Sequence, residues 1–317
     1  MQLIQHSCLT ENQIPRSVIT VGNFDGVHRG HRALLRRVIA RAKELGAASV
    51  VYTFRPHPLK VLNPARCPAM ITAFEERVAL LGAEGIDVTV WARFDRAYAS
   101  LEPEVFVRHT LKVCLGAVEV WVGPDFAFGR GRSGSIDLLR AVGRQVGFAV
   151  QVLRPFTLGD QVVSSTRVRE AIVDGEFRCA KQLLGRPYGL KGTVVHGHGR
   201  GRDLGFPTAN VLPRQDCIPK PGVYAAWVVC EGDTHPAAVN IGTNPTFGAA
   251  EVTVEAHLLD GNRDLYGKEV EVVFVAPVRG EIAFRSPADL VRQIRADVAT
   301  VRRVLGAVAP VIQGGPG

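Results

Sequence analysis

The sequence predicts an α/β domain built on a doubly wound parallel sheet, followed by an antiparallel β domain. Three observations carry this. Between about residues 17 and 153, short β-branched runs alternate with stretches whose apolar residues recur at helical spacing. Beyond residue 187, strand-like runs follow one another through Gly, Pro, Asn and Asp loops, with no helix between them. The net positive charge sits in the first part: residues 1–186 hold 25 Lys and Arg against 17 Asp and Glu, whereas the remainder holds 13 of each. At 317 residues the chain is long for one core, and the rhythm changes at Leu184-Gly185-Arg186-Pro187. The expected division is therefore 1–186, 187–306 and a flexible tail at 307–317.

Taken in order, Ser17–Val21 is the first strand, because it is β-branched and carries no charge. Residues 33–45 follow as a helix, with apolar side chains on one stripe. Strands at 48–54, 87–91, 118–122 and 148–153 then alternate with helices at 73–84, 103–115 and 136–146. In the second part, 190–195, 223–230, 237–241, 252–259 and 270–275 read as strands. An amphipathic helix at 287–305 closes the fold.

Composition excludes several classes. With 46% hydrophobic and 21% charged residues the chain reads as a soluble globular protein, and no apolar run reaches the ~18 residues of a membrane span. The N-terminus lacks a basic-then-apolar leader, so no secretory signal is expected. Six cysteines stand apart without a CxxC or a metal-ligand spacing, which suits free thiols in a reducing cytoplasm. The sequence pI of 9.4 suits phosphate-rich small molecules. No block of clustered basic residues is present, so nucleic acid is not an expected partner.

The stretch Val21-Gly22-Asn23-Phe24-Asp25-Gly26-Val27-His28-Arg29-Gly30-His31 joins the first strand to the first helix. In an open parallel sheet, ligands bind beyond the carboxyl ends of the strands. His28 and His31, three residues apart, share one face of the emerging turn. Free N–H groups and the positive end of the helix dipole favour an anion there, and imidazoles add donors whose charge rises as the anion arrives. Spacing alone leaves three readings open: a phosphate site, two surface histidines, and a zinc site lacking a third ligand at motif spacing.

This stretch resembles the HxGH loop of the nucleotidyltransferase superfamily, which transfers a nucleotidyl group from a triphosphate and releases pyrophosphate. Ser164-Ser165-Thr166-Arg167-Val168-Arg169 is similar to that superfamily's distal SSTxxR loop, and by itself is also an ordinary helix cap. Thr53-Phe54-Arg55-Pro56-His57-Pro58 and Gly123-Pro124-Asp125-Phe126-Ala127-Phe128-Gly129 resemble the TFxPHP and GxDFxFG segments of bacterial bifunctional riboflavin kinase/FAD synthetases. Alone, the second of these also reads as a strand-end turn with two core aromatics. The run from Gly197 to Asn210, ending in Pro207-Thr208-Ala209-Asn210, is similar to the riboflavin kinase segment with its PTAN motif. Residues 240–247, 254–260 and 264–267 continue the match, so the resemblance runs from about residue 17 to 305.

The resemblance implies a Rossmann-like HxGH nucleotidyltransferase domain and a riboflavin kinase-type barrel with a terminal helix. It implies that the barrel phosphorylates riboflavin with Mg²⁺-bound ATP, giving FMN and ADP. The first domain then joins FMN to a second ATP, giving FAD and pyrophosphate. Catalysis falls to Glu255, His28 and His31. ATP and its phosphates fall to Gly22, Asn23, Asp25, Gly26, Gly30, Ser164, Ser165, Thr166, Arg167 and Arg169, and in the barrel to Gly197, Gly199, Arg202 and Gly205. Flavin contacts fall to His57, Asp125, Phe126, Phe128 and Gly129, and Mg²⁺ to Thr208 and Asn210. Glu255 lies in the otherwise apolar run VTVEAHLL. It either alternates out to solvent or takes the proton of the riboflavin 5′-hydroxyl. The rival readings are a single-function enzyme and a non-catalytic flavin or ATP binder. No feature of the sequence gives the oligomeric state.

Overall fold

The computed structural model describes residues 1–197, 204–246, 249–261, 263–308 and 310, the side chains of residues 8, 244–246 and 249–251 excepted. It forms two compact units. The first comprises Met1–Pro68 and Ala73–Ser164, the second Ala69–Thr72 and the chain from Ser165.

The first unit is a six-stranded sheet of β1 (Gln2–Gln5), β2 (Ser17–Val21), β3 (Ala48–Arg55), β4 (Val88–Arg93), β5 (Ala117–Val122) and β6 (Ala149–Val152). Their order is β1-β4-β3-β2-β5-β6, and every pairing is parallel. β2 is central and buried on both faces, which is why it reads as an unbroken β-branched run. The chain leaves β2 toward β3 and later returns on its other side as β5. The carboxyl end of β2 is thus where strand order reverses.

On one face, α1 (Arg29–Glu44) and, after the short α2 (Pro58–Leu62), α3 (Phe74–Ala83) pack against the sheet. Leu35, Val38 and Leu81 meet Val18 and Val51 there. On the other face, α4 (Phe106–Cys114) and α5 (Ile136–Val146) bring Phe106, Leu111 and Leu139 against Ile19, Tyr52 and Val120. The expected helix over 103–115 runs unbroken from Pro103 to Cys114, α-helical over Pro103–Val105 and π-helical in α4, where Leu115 N–H bonds Thr110 O five residues back. A hairpin of β7 (Thr157–Leu158) and β8 (Gln161–Val162) ends the unit.

The second unit is a closed barrel. Its strands are β9 (Gly189–Val195), β10 (Ala209–Pro213), β11 (Gly222–Cys230), β12 (Asp233–Thr246), β13 (Ala249–Leu258) and β14 (Glu269–Gly280), all paired antiparallel. Leu190, Val194, Val239, Ile241, Val254 and Ala256 alternate into its buried side. β11 is buried along its whole length, because Ala225, Trp227 and Val229 on its outer face lie under Val301 and Leu305 of the terminal helix. α6 (Ser165–Val173) and α7 (Phe177–Leu184) precede the barrel in sequence and group with it. Phe177 accounts for this. Its ring stacks on Phe274 of β14 at 5.0 Å between centroids and meets Tyr224 of β11 edge-on at 5.7 Å. The expected loose tail falls mostly outside the described residues.

The terminal helix, α8 (Pro287–Gly306), is fastened by an ion pair whose carboxylate is buried and whose guanidinium is half-buried. Arg279 of β14 donates to Asp297 from Nε at 3.0 and 3.1 Å and pairs through Nη2 at 2.8 Å, and Gln293 adds a bond at 2.8 Å. Removing one partner strands the other's charge. Asp297→Ala should therefore cost about 3–5 kcal/mol, read as a lowered urea midpoint of the second unit. A loss under about 1 kcal/mol would place this pair with ordinary surface contacts.

Candidate active sites

The turn from β2 into α1 is strained. Phe24 and Val27 lie in the left-handed region at φ 51° and 39°, a conformation that non-glycine residues hold only where their surroundings over-determine it. α1 starts at Arg29, one turn ahead of the expected 33, because His28 caps it: its Nδ1 accepts the His31 backbone N–H at 3.2 Å. The proton of the neutral ring is thereby left on Nε2 as a donor. His31 stacks on His28 with centroids 3.6 Å apart and planes 12° from parallel, and Phe24 lies 5.1 Å away. Burial holds His31 well below the ordinary histidine range, and the charges of His28 and Arg77 push the same way. Its Nδ1 is buried with no hydrogen-bond partner among the described residues. A desolvated imidazole held neutral in this way gains from an arriving anion.

A Cβ on Gly30 would stand 3.1 Å from His28 Cε1 and 3.3 Å from Val163 O. The imidazole and the chain leading into Ser164 thus close over the glycine. α6 then begins at Ser165, with Thr166 exposed and Arg169 donating from Nε to Ala69 O at 2.7 Å.

Beside this turn, the Asn23 amide lies 3.0 Å from His57 Nε2. His57 caps α2, its Nδ1 accepting Leu59 N–H at 3.2 Å, and its Nε2 faces the Asn23 amide nitrogen. The two loops singled out by sequence therefore meet. Asp25 is 2% exposed and lies within electrostatic range of Arg77. Among the aromatic candidates, Phe128 is core, packed against Phe106 at 5.8 Å. Phe126 stacks on Phe128 at 5.3 Å and stays half-buried, and Asp125 is exposed.

Arg77 is a site neighbour that no motif marks. It donates to Asn23 O at 2.8 Å and to Phe54 O at 3.0 Å. One signal for it existed: in FEERVALLGA it stands three residues after Phe74 and four before buried Leu81, on the apolar stripe.

In the barrel, Asn210 of β10 and Asn240 of β12 stand opposite Glu255 of β13 on either side. Val254 and Ala256 are buried, so Glu255 faces the other way, in a row with two amides. A Cβ on Gly197 would collide with the Asn210 amide, so only glycine lets that side chain sit there. His257, on the Glu255 face, hydrogen-bonds Pro207 O through Nδ1 at 2.8 Å and meets Phe206 edge-on at 5.5 Å, fixing the approach to Thr208. Thr208 lines a small cleft with Val194, Ala256, Leu258, Arg263 and Tyr266, and His196 stacks on Tyr266 at 4.1 Å. Gly205 lies in the turn before Phe206, whereas Gly199, Arg202 and Phe247 fall outside the described residues.

A donor-rich turn where a parallel sheet reverses order accommodates a polyphosphate. A carboxylate set between amides on a barrel accommodates a hydroxyl about to lose its proton. Fold and sites together define a transferase of phosphorus-containing groups with one site in each unit. The FAD synthetase family profile matches residues 10–167, and that of riboflavin kinase residues 184–305. The bifunctional riboflavin kinase/FMN adenylyltransferase of Escherichia coli K12 is 40% identical over 294 residues, 92% of this chain and 94% of that one. Its counterpart from Pseudomonas fluorescens is 40% identical over 305 residues, 95% and 97% of the two chains. A Streptococcus pneumoniae crystal structure described as a macrolide-efflux protein is 30% identical with a TM-score of 0.82, covering 95% of this chain and 99% of that one. The chain belongs to the family of bifunctional riboflavin kinase/FMN adenylyltransferases.

Proposed function

We propose that this chain makes FMN from riboflavin in its barrel and FAD from FMN in its parallel-sheet unit, with the activities divided near residues 186 and 187. The observation that carries the reading is the presence, in one chain, of the His28–His31 pair and the Asn210–Glu255–Asn240 row.

In the barrel, Glu255 takes the proton of the riboflavin 5′-hydroxyl as its oxygen attacks the γ-phosphorus of ATP and ADP leaves. A hydroxyl on Thr208 and an amide on Asn210 are a neutral oxygen donor set, and Gly197 leaves the Asn210 amide its place. These two residues fit Mg²⁺ carried in with ATP, and that ion, when bound, offsets phosphate charge. Gly197, Gly199, Arg202 and Gly205 line the phosphates in this reading.

In the sheet unit, the FMN phosphate attacks the α-phosphorus of ATP and pyrophosphate leaves. No general base is needed, because a phosphomonoester with a second pKa of about 6 is already ionised. His28 Nε2, His31 and the N–H groups opening α1 take the charge that develops, with Ser164 as a further phosphate ligand. The phosphate role of Ser165, Thr166, Arg167 and Arg169 rests on the resemblance alone. His57, Asp125, Phe126, Phe128 and Gly129 bound the flavin subsite.

No disulfide joins the five cysteines whose side chains are described, and this, with the demand for ATP, favours the cytoplasm as the setting. No helix among the described residues is long and apolar enough to cross a membrane, and transport forms no part of the reading.

Labelled ATP tests it. Incubation of riboflavin with γ-labelled ATP should label FMN and FAD, whereas α-labelled ATP should label FAD alone. Label in neither flavin would defeat the reading. Gly30→Ala, which pushes on the His28 ring, should slow FAD formation by up to about 10²-fold and leave FMN formation unchanged. Equal FAD rates in parent and variant would show the ring's position to be immaterial.

A further inference from the structure

Arg77 is the one buried cation beside the first site, among the described residues, that the proposed chemistry leaves unused. It is 4% exposed, and none of the ion pairs formed by the described residues includes it. Burying a guanidinium is costly, so its contacts should repay the cost. They go to two backbone carbonyls at the carboxyl ends of adjacent strands. Nη1 donates to Asn23 O, in the turn that leads to His28, and Nη2 to Phe54 O, which leads to His57. Thr53 Oγ1 adds a long bond to the same Asn23 carbonyl at 3.4 Å. Phe74, on the same helix, places its ring 5.3 Å from the guanidinium carbon.

We infer that Arg77 is a positioning residue for FAD formation: its planar fork braces the Asn23 turn against the Phe54–His57 segment and so sets the spacing between the nucleotide and flavin subsites. The inference rests on the proposed adenylyl transfer. Two donors at fixed angles can hold two carbonyls in register, and a lysine ammonium, a point charge on a flexible stem, cannot. Misregister between two substrates acts on their reaction more than on the binding of either.

The test is steady-state kinetics of the full chain with FMN and ATP, for Arg77→Lys, Arg77→Met and Leu81→Ala. Leu81 is a wholly buried core residue of the same helix that makes no bond to either loop. Arg77→Lys should lower kcat for FAD formation at least tenfold, with both KM values within threefold of the parent and FMN formation unchanged. Arg77→Met should be at least as slow, while Leu81→Ala, assayed below its unfolding transition, should stay within twofold. A kcat for Arg77→Lys within threefold of the parent would overturn the inference. So would parallel losses of both activities in Arg77→Lys, or a loss in Leu81→Ala as large as in Arg77→Lys. A parent that makes no FAD from FMN and ATP would instead remove the function on which it rests.

Discussion

Replacing Glu255 with Gln should slow FMN formation by ~10²–10⁴, about 3–5 kcal/mol of barrier. The amide keeps the shape of the side chain and its place between Asn210 and Asn240, but it cannot take a proton. The loss should therefore fall on kcat, with riboflavin binding little altered, because the proton moves only as the reaction proceeds. FAD formation from supplied FMN should not change. A charged residue that merely alternated outward on its strand would give a different outcome: a shift in stability within about ±0.5 kcal/mol and unaltered turnover. A kinase kcat within threefold of the parent would take Glu255 out of the mechanism.

His31→Ala should produce the complementary defect. Removing one donor to developing phosphate charge costs roughly 10²–10³ in kcat, and here the His28 ring also loses its stacking partner. FAD formation from FMN should drop by at least that factor while riboflavin phosphorylation continues. Burial keeps folded His31 neutral well below the ordinary pKa, whereas the unfolded chain takes up a proton near pH 6.5. Below that pH the unfolded state binds more protons at this position, so stability falls as the solution is acidified. His31→Gln should lessen the drop in urea midpoint of the first unit between pH 7.5 and 5.5. An unchanged drop would mean that His31 titrates alike in both states.

Much of this architecture is legible because particular residues leave few alternatives. Ser17–Val21 could be read as a central strand because burial on both faces demands a continuous apolar run. Among the described residues, the strand runs beyond residue 187 are likewise separated by turn residues, with no helix before α8. What escapes the sequence depends on contacts that no local pattern encodes. β1, with four residues at a sheet edge, exists through its pairing with β4. β10 is five residues long and is defined by β9 and β13 on its two sides. α7 groups with the barrel through Phe177, whose partners lie about 50 and 100 residues further along the chain. The first turn of α1 was hidden because a histidine, not a residue typical of helix caps, closes it. At the sites, motif residues pointed to His28, His57, Asn210 and Glu255, whereas Arg77 acts on backbone carbonyls and leaves only a misplaced polar residue in an apolar stripe.

The central claim is that two separate sites act in sequence, and mixing two crippled chains tests it most directly. Incubated alone with riboflavin and Mg²⁺-ATP, His31→Ala should accumulate FMN, and Glu255→Gln should yield almost no product. Mixed in equal amounts, the two should make FAD, because FMN released by one chain is a substrate for the other. Failure of the mixture to make FAD, with each variant retaining its other activity when assayed alone, would contradict two independently acting sites.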